Sequence, residues 1–258
     1  TVIANPSLTA LDRPLGSVRE QEAIMYKFSL KGVMAAAAIA VGFAGPASAI
    51  PIELGLGIDD SGSVSVANFN LQKNAYLSVL QDTSVIPQDG TIAIGIVKFS
   101  SSATQIFPTT VIDATTIGDL VTALTNMTRS GGATCIGCAV TALSDDIFGN
   151  AIDSDRQIID ISTDGGNNVG NVNTAVSNAL AAGIDQVNCL GIGGGANCNF
   201  IGGSGSFSIT ATGFNDFESA LRTKLLRETG QDVPEPASLA LLGAGLLGFA
   251  VARRRRAA

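Results

Sequence analysis

Residues 53–63 read ELGLGIDDSGS, and the organisation of the whole chain follows from that stretch. Its first half, 53–58, has the composition of a short apolar strand. Its second half, Asp59 to Ser63, is an acidic turn rich in Gly and Ser, the kind of loop by which a chain leaves a strand. Directly afterwards Phe69, Tyr76, Leu77 and Leu80 recur at helical spacing across 66–80. Strand, polar turn and helix in that order open an α/β unit.

The same alternation continues downstream. Residues 91–99 (TIAIGIVKF) are β-branched and nearly all apolar, which marks a strand covered on both faces. Residues 104–111 read as an edge strand, because Pro108 interrupts them. Helices are predicted over 117–126, 136–148 and 172–182, and strands over 156–162 (RQIIDIS), 185–192 and 206–212. A last helix is expected to begin near Phe214, with Phe217, Leu221 and Leu225 on one face. Strands alternating with helices imply right-handed crossovers. The predicted fold is therefore α/β: a doubly wound, mainly parallel sheet flanked by helices, with one antiparallel edge strand. In such sheets ligands bind beyond the carboxyl ends of the strands, which directs attention to the turns after residues 58 and 162.

Composition narrows the function. A chain of 258 residues holds one ordinary domain plus processing segments. With 5% aromatic residues and no Trp, the core must be built from Val, Ile, Leu and Ala. The absence of His excludes Ser-His-Asp and Cys-His catalysis and His-ligated zinc, so a metal would be held by oxygen or sulfur. Between residues 50 and 235 there are 19 acidic and 7 basic residues, a net charge of −12. Such a body repels phosphate backbones, which excludes nucleic acid as a partner and suits an exported protein or one that handles cations.

Both ends read as addresses. In residues 25–49 (MYKFSLKGVMAAAAIAVGFAGPASA), Lys27 and Lys31 form a basic start, an apolar stretch follows, and Ala47-Ser48-Ala49 is a small-residue cleavage site. These are the parts of a secretory signal peptide, in order. A signal peptide ordinarily begins at an initiator Met, so residues 1–24 are expected to be upstream sequence outside the fold. The body is then 50–230. In the segment 231–258, Val233-Pro234-Glu235-Pro236 precedes an apolar stretch at 237–252 and the basic run Arg253 to Arg256. Taken alone this is a short transmembrane helix held by its arginines at the cytoplasmic side. The order of parts resembles the PEP-CTERM sorting signal of Gram-negative bacteria. That resemblance implies recognition by an exosortase, removal of the tail, and delivery to the cell surface or matrix through a membrane-anchored intermediate. A permanent single-span anchor is the alternative.

The turn after the first strand carries Asp59, Ser61 and Ser63 in Asp-x-Ser-x-Ser spacing, so alternate side chains can converge on one point. A carboxylate and two hydroxyls are hard ligands suited to Mg²⁺, with Mn²⁺ or Ca²⁺ as alternatives. Taken alone, the pattern is equally that of a helix cap. Ser130-Gly131-Gly132-Ala133-Thr134 adds a hydroxyl at a helix entrance, and Thr163-Asp164-Gly165 adds a second carboxylate directly after a buried strand. Together these segments resemble the metal-ion-dependent adhesion site of von Willebrand factor A domains. Asp59, Ser61 and Ser63 match the Asp-x-Ser-x-Ser motif, Thr134 the lone Thr, and Asp164 the second Asp. The resemblance runs over about 53–229. Its stretches 158–168 and 201–227 look like an uncharacterised, exported bacterial branch. It implies hydroxyls bound to metal directly, carboxylates directly or through water, and an open position for an acidic group on a partner. Two departures stand out. Asp60 occupies a usually apolar position, where it would strengthen the local negative field or face solvent. Ala133 separates Gly132 from Thr134, where many members run Gly-Gly-Thr. Asp60 and Gly132 are accordingly expected to support the metal ligands rather than join them.

Four cysteines in an exported chain are expected to be oxidised, with three pairings possible. Local bridges, Cys135–Cys138 and Cys189–Cys198, are favoured over cross-pairing. A four-thiolate zinc site is a lesser alternative. Cys135 and Cys138 have redox-motif spacing, but a thioredoxin-like surrounding is not apparent.

Three functions fit these residues. The leading one is a non-enzymatic binding module that engages an acidic protein or polysaccharide through its metal. The second is a structural surface or matrix protein whose metal only stabilises the fold. The third is a metal-assisted hydrolase with Asp60 as base.

Overall fold

The computed structural model describes residues 52–231. The leader 25–49 with the preceding 1–24, and the tail from 232 onward with its apolar stretch 237–252, lie outside the described residues. Among the described residues no helix is long and apolar enough to cross a membrane.

The chain alternates as its sequence predicts: β1 (Ile52–Asp59), α1 (Val66–Leu80), β2 (Asp89–Phe99), β3 (Ala103–Asp113), α2 (Ile117–Asn126), α3 (Ile136–Gly149), β4 (Arg156–Thr163), α4 (Val172–Ala182), β5 (Gln186–Ile192), β6 (Ser208–Ala211) and α5 (Phe217–Glu228). The six strands form one sheet in the order β3-β2-β1-β4-β5-β6. Every pairing is parallel except β2 with the edge strand β3. This is the doubly wound α/β sheet with one antiparallel edge that the sequence implies. Pro108 is tolerated within β3 because that strand lies at the edge, where a missing N–H need not break a ladder, and the pairing slips register close by, around Phe107.

β1 shows how the opening stretch builds the core. Strand side chains alternate between faces, so Leu54, Leu56 and Ile58 point together into the layer filled by α1, α2 and α5. Gly55 and Gly57 point the other way, beneath α3. A Cβ at Gly57 would lie 2.5 Å from Ile161 Cδ1, and one at Gly55 would lie 3.1 Å from Leu143 Cδ2. Gly55 thus lets Leu143 of α3 approach the sheet, and Gly57 leaves room for the Ile161 side chain of β4. Ile136, Ala139, Val140, Leu143 and Ile147 of α3 join Val176 and Ala179 of α4 to fill that second layer. α1 starts at Ser65, whose hydroxyl accepts from the Asn68 N–H at 3.2 Å and satisfies a first-turn donor. Phe69, Ala75, Tyr76, Val79 and Leu80 are its buried apolar positions.

Several boundaries differ from expectation: β2 begins at Asp89 rather than at 91 and β3 spans Ala103–Asp113 rather than 104–111, and two more differ near the end of the domain. The last helix begins at Phe217 rather than near Phe214: residues 213–216 form a turn in which Gly213 O accepts from Asp216 N at 3.1 Å. Phe214 still packs against the core from that turn, which is why its spacing looks helical. The last strand covers only Ser208–Ala211 of the predicted 206–212.

α5 is seated by buried charge as well as by Phe217, Leu221 and Leu225. Lys224 Nζ lies 2.7 Å from Asp160 Oδ1 of β4 and also meets Glu228, and all three side chains are buried. The Asn188 amide of β5 donates to Glu228 Oε1 at 2.8 Å. Burial, with the charge of Asp160 added, pushes the Glu228 carboxyl up to about 7.

Candidate metal centre

The carboxyl ends of β1 and β4 lie side by side, with Ile58 opposite Ser162. The turns that leave them carry Asp59 to Ser63 and Asp164. Ser63 Oγ donates to Asp164 Oδ1 at 2.6 Å across a separation of 101 residues, and Ser61 Oγ lies 3.1 Å from Ser63 Oγ. Asp59, at the base, is fully buried. Its Oδ1 accepts from Ser61 N at 2.9 Å, and its Oδ2 accepts from the Thr163 hydroxyl at 2.6 Å. Asp59, Ser61, Ser63 and Asp164 therefore share one hydrogen-bonded cluster, graded from buried Asp59 and Ser61 to exposed Ser63.

Thr134 reaches this edge through backbone contacts. Gly62 N donates to Gly132 O at 2.8 Å, which clamps the 130–134 loop onto the first turn. Thr134 N donates to Asn168 Oδ1 at 2.8 Å, and Thr134 O accepts from Asn168 N at 2.9 Å. The Thr134 hydroxyl makes no hydrogen bond to the other four side chains among the described residues. Gly132 has φ +108° and its Cβ position lies 2.6 Å from Ser101 Oγ, so no other residue fits there without strain. Its part is to shape the loop, and Ala133 is accommodated by donating its N–H to Ser101 Oγ at 2.9 Å.

Asp60 departs from both expectations for it. It neither faces solvent nor adds unbalanced negative charge. Its side chain is 1% exposed and lies 3.1 Å from Lys98 Nζ. The same carboxylate oxygen accepts from Ser130 N at 2.8 Å. Lys98 also donates to Thr128 O and Ser130 Oγ, each at 2.6 Å. Asp60 and Lys98 thus fasten the 130–134 loop to the sheet. The sequence carried a signal for this, since Lys98 is the one charge within TIAIGIVKF. Other supports escaped the sequence reading. Gln72 Nε2 of α1 donates to Asp59 O at 2.9 Å. Arg129 donates to the carbonyls of Val64, Ser61 and Gly62.

The charge balance tests whether a cation fits. Lys98 is occupied by Asp60 and Arg129 by carbonyls, so neither Asp59 nor Asp164 has a basic partner among the described residues. Burial raises the Asp59 carboxyl above its ordinary range. Hydrogen bonds from Ser61 and Thr163 pull it back, and the charge of Asp164 pushes it up again. Among the described residues no three His, Cys, Asp or Glu side chains converge. The cluster offers instead two carboxylates with hydroxyls, an all-oxygen set suited to a hard divalent ion. These residues fit the metal that the spacing implies.

The cysteines form two bridges, Cys135–Cys138 with Cα atoms 5.2 Å apart and Cys189–Cys198 with Cα atoms 5.7 Å apart, and none is free. A four-thiolate zinc site is thereby overturned. Cys135 caps α3, its sulfur accepting from Cys138 N at 3.3 Å, directly after Thr134.

A family model described as a protein of unknown function, DUF1194, matches residues 49–233. A model of the PEP-CTERM protein-sorting motif matches residues 232–256. No curated protein matches the chain. Among solved structures, the chain is similar to proximal thread matrix protein 1 of the mussel byssus, described with a zinc-occupied MIDAS motif. That match has a TM-score of 0.55 at 20% identity and covers 68% of this chain and 47% of the mussel protein. The chain thus spans about half the length of that relative. It is also similar to manganese-loaded TRAP protein of Plasmodium vivax (TM-score 0.50, 19% identity, 69% and 73% covered). A third similar structure is BatB of Bacteroides thetaiotaomicron (TM-score 0.51, 18% identity, 69% and 99% covered). At these identities the likeness is one of fold.

Proposed function

The chain belongs to the DUF1194 family, a von Willebrand factor A-like family, and we propose that it is a non-enzymatic binding module working through a divalent ion at the carboxyl edge of its sheet. Its PEP-CTERM motif marks an exported protein sorted to the surface. The observation that carries the reading is the Ser63–Asp164 hydrogen bond, which joins two turns 101 residues apart into one oxygen cluster with two uncompensated carboxylates.

In this reading Asp59, Ser61, Ser63, Thr134 and Asp164 hold Mg²⁺, or Mn²⁺ or Ca²⁺, whose open position takes a carboxylate from an acidic protein or polysaccharide. Gln72 holds the Asp59 backbone carbonyl, while Ser61 N and the Thr163 hydroxyl hold its carboxylate, which is therefore oriented before any ion arrives. Ser63 and Asp164 lie at the rim, where they meet both ion and partner. Lys98 and Asp60 hold the Thr134 loop in register with them. An exosortase acts on the tail, and the stretch 237–252 gives a membrane-held stage before sorting. The Lys98–Asp60 pairing weighs against the hydrolase reading, because the residue that would serve as base is already held by a lysine and a backbone N–H.

Binding of an acidic partner should be lost in chelator and in Asp59→Ala; binding unchanged by both treatments rejects the mechanism. The full burial of Asp59 also supports a structural reading, in which the ion serves the fold alone. That reading predicts that Asp164→Ala lowers thermal stability while surface association persists.

A further inference from the structure

The Asp164 turn continues into Gly165, Gly166, Asn167 and Asn168, and its outer side borders a hollow of about 280 Å³. Five asparagines line it, Asn167, Asn171, Asn173, Asn197 and Asn199, together with the buried Phe200, and no charged side chain does. None of Asp59, Ser61, Ser63, Thr134 and Asp164 lines the hollow, but the loop that forms its Asn197 wall packs on the backbone of the Asp164 turn. Asn197 N donates to Gly165 O at 3.1 Å, and a Cβ at Gly195 would lie 2.9 Å from Asp164 O. The Cys189–Cys198 bridge ties the loop bearing Asn197 and Asn199 to β5. The hollow shares Gly170 and Asn171 with a second of about 500 Å³ between α3 and α4, whose polar lining includes Thr141, Thr174, Asn178 and the carboxylate of Asp145.

Some of these amides are occupied. Asn167 Oδ1 accepts from Ile136 N at 2.8 Å and its amide donates to Val169 O, so it builds the wall. Asn171 Oδ1 accepts from Thr174 N and Asn197 Oδ1 from Asn199 N. The amide NH₂ groups of Asn171 and Asn197, and both ends of Asn173 and Asn199, have no side-chain hydrogen bond among the described residues. A carboxamide offers two donors and an acceptor without charge. Several unused ones around a small uncharged hollow match neighbouring hydroxyls, each of which donates and accepts at once. They do not match a phosphate, which would be met by cations.

We infer that this hollow is a sugar subsite, so that the ligand of the metal edge is an acidic polysaccharide: a ring's hydroxyls sit among Asn171, Asn173, Asn197 and Asn199 while a uronate carboxylate reaches the metal. The carboxylate half of this inference rests on the proposed metal function; the hydroxyl half does not need it.

The test uses the full chain in detergent with Mg²⁺, titrated with a galacturonic acid tetrasaccharide and, separately, with a glutamate tetrapeptide. Asn173→Ala combined with Asn199→Ala removes two free carboxamides and should leave melting temperature and Mg²⁺ affinity unchanged. The tetrasaccharide should bind about tenfold more weakly to this variant, the scale of two lost hydrogen bonds, while peptide affinity holds. Equal loss for both probes, no loss for either, or a wild-type chain that takes the peptide and not the sugar would each overturn the subsite. Side-chain amide resonances of Asn173, Asn197 and Asn199 separate the two readings. If they shift with sugar and neither chelator nor Asp59→Ala alters the affinity, the metal role falls and the subsite stands. If they never shift while metal-dependent carboxylate binding persists, the subsite falls and the metal role stands.

Discussion

Replacing Lys98 with Met isolates the fastening of the 130–134 loop. Lys98 Nζ serves Asp60, Thr128 O and Ser130 Oγ, and its side chain is 10% exposed against 1% for Asp60. Met retains the packing along the stem and removes the charge, leaving the Asp60 carboxylate buried with Ser130 N as its remaining donor. Breaking one side of a buried pair costs about 3–5 kcal/mol, because the remaining charge keeps its desolvation penalty. For a domain of this size each kcal/mol moves the midpoint by ~2–4 °C, so Lys98→Met should melt roughly 6–20 °C below the parent. Adding Asp60→Asn removes the stranded charge and should restore more than half of that loss. Because the same contacts position Gly132 and Thr134, Mg²⁺ affinity should fall in Lys98→Met and recover partly in the double variant. Thermal unfolding by circular dichroism and Mg²⁺ calorimetry read the two effects. A single variant within about 1 kcal/mol of the parent, or a double variant no better than the single, would refute the argument from a stranded buried charge.

Two other perturbations test separate parts of the structure. Glu228 has its carboxyl raised from 4.5 to about 7, so its contribution to stability is fully present below pH 4.5 and is lost as pH rises through 7. At roughly 1.4 kcal/mol per pH unit that window spans about 3 kcal/mol. Glu228→Gln should flatten the urea midpoint between pH 5 and 7.5, and an unchanged pH profile would show that the Asp160–Lys224–Glu228 cluster does not titrate with folding. Gly132→Ala should cost more than ~1 kcal/mol, since φ is +108° and the new methyl meets Ser101 Oγ. It should also weaken Mg²⁺ binding, whereas a neutral effect in both assays would mean that the loop rebuilds freely.

The alternation of strands and helices and the edge position of the Pro108 strand were legible because each rests on pattern within one segment. ELGLGI alternates by strand period, and Pro108 marks its own strand as an edge. Asp59, Ser61 and Ser63 were legible for the same reason, their spacing being local. What spacing does not record is which buried charges meet across the fold. Lys98 is conspicuous in an apolar strand, yet nothing in its neighbours names Asp60 as its partner. Asp160 stands in RQIIDIS and Lys224 and Glu228 in the last helix, and only the packing of α5 on β4 brings them together. Gln72 reads as an ordinary polar helix position, although it is buried to hold Asp59 O. The start of α5 was misplaced because Phe214 packs into the core from a turn, so burial there mimics helical periodicity.

The central claim is that two turns far apart in sequence form one divalent-ion site. It is tested most directly by calorimetric titration of the chain with Mg²⁺ and Mn²⁺ beside an Asp59→Ala control. Saturable binding that the substitution abolishes is the predicted result. Absence of binding to the intact chain, or binding that survives Asp59→Ala, would contradict the claim and leave the structural reading in its place.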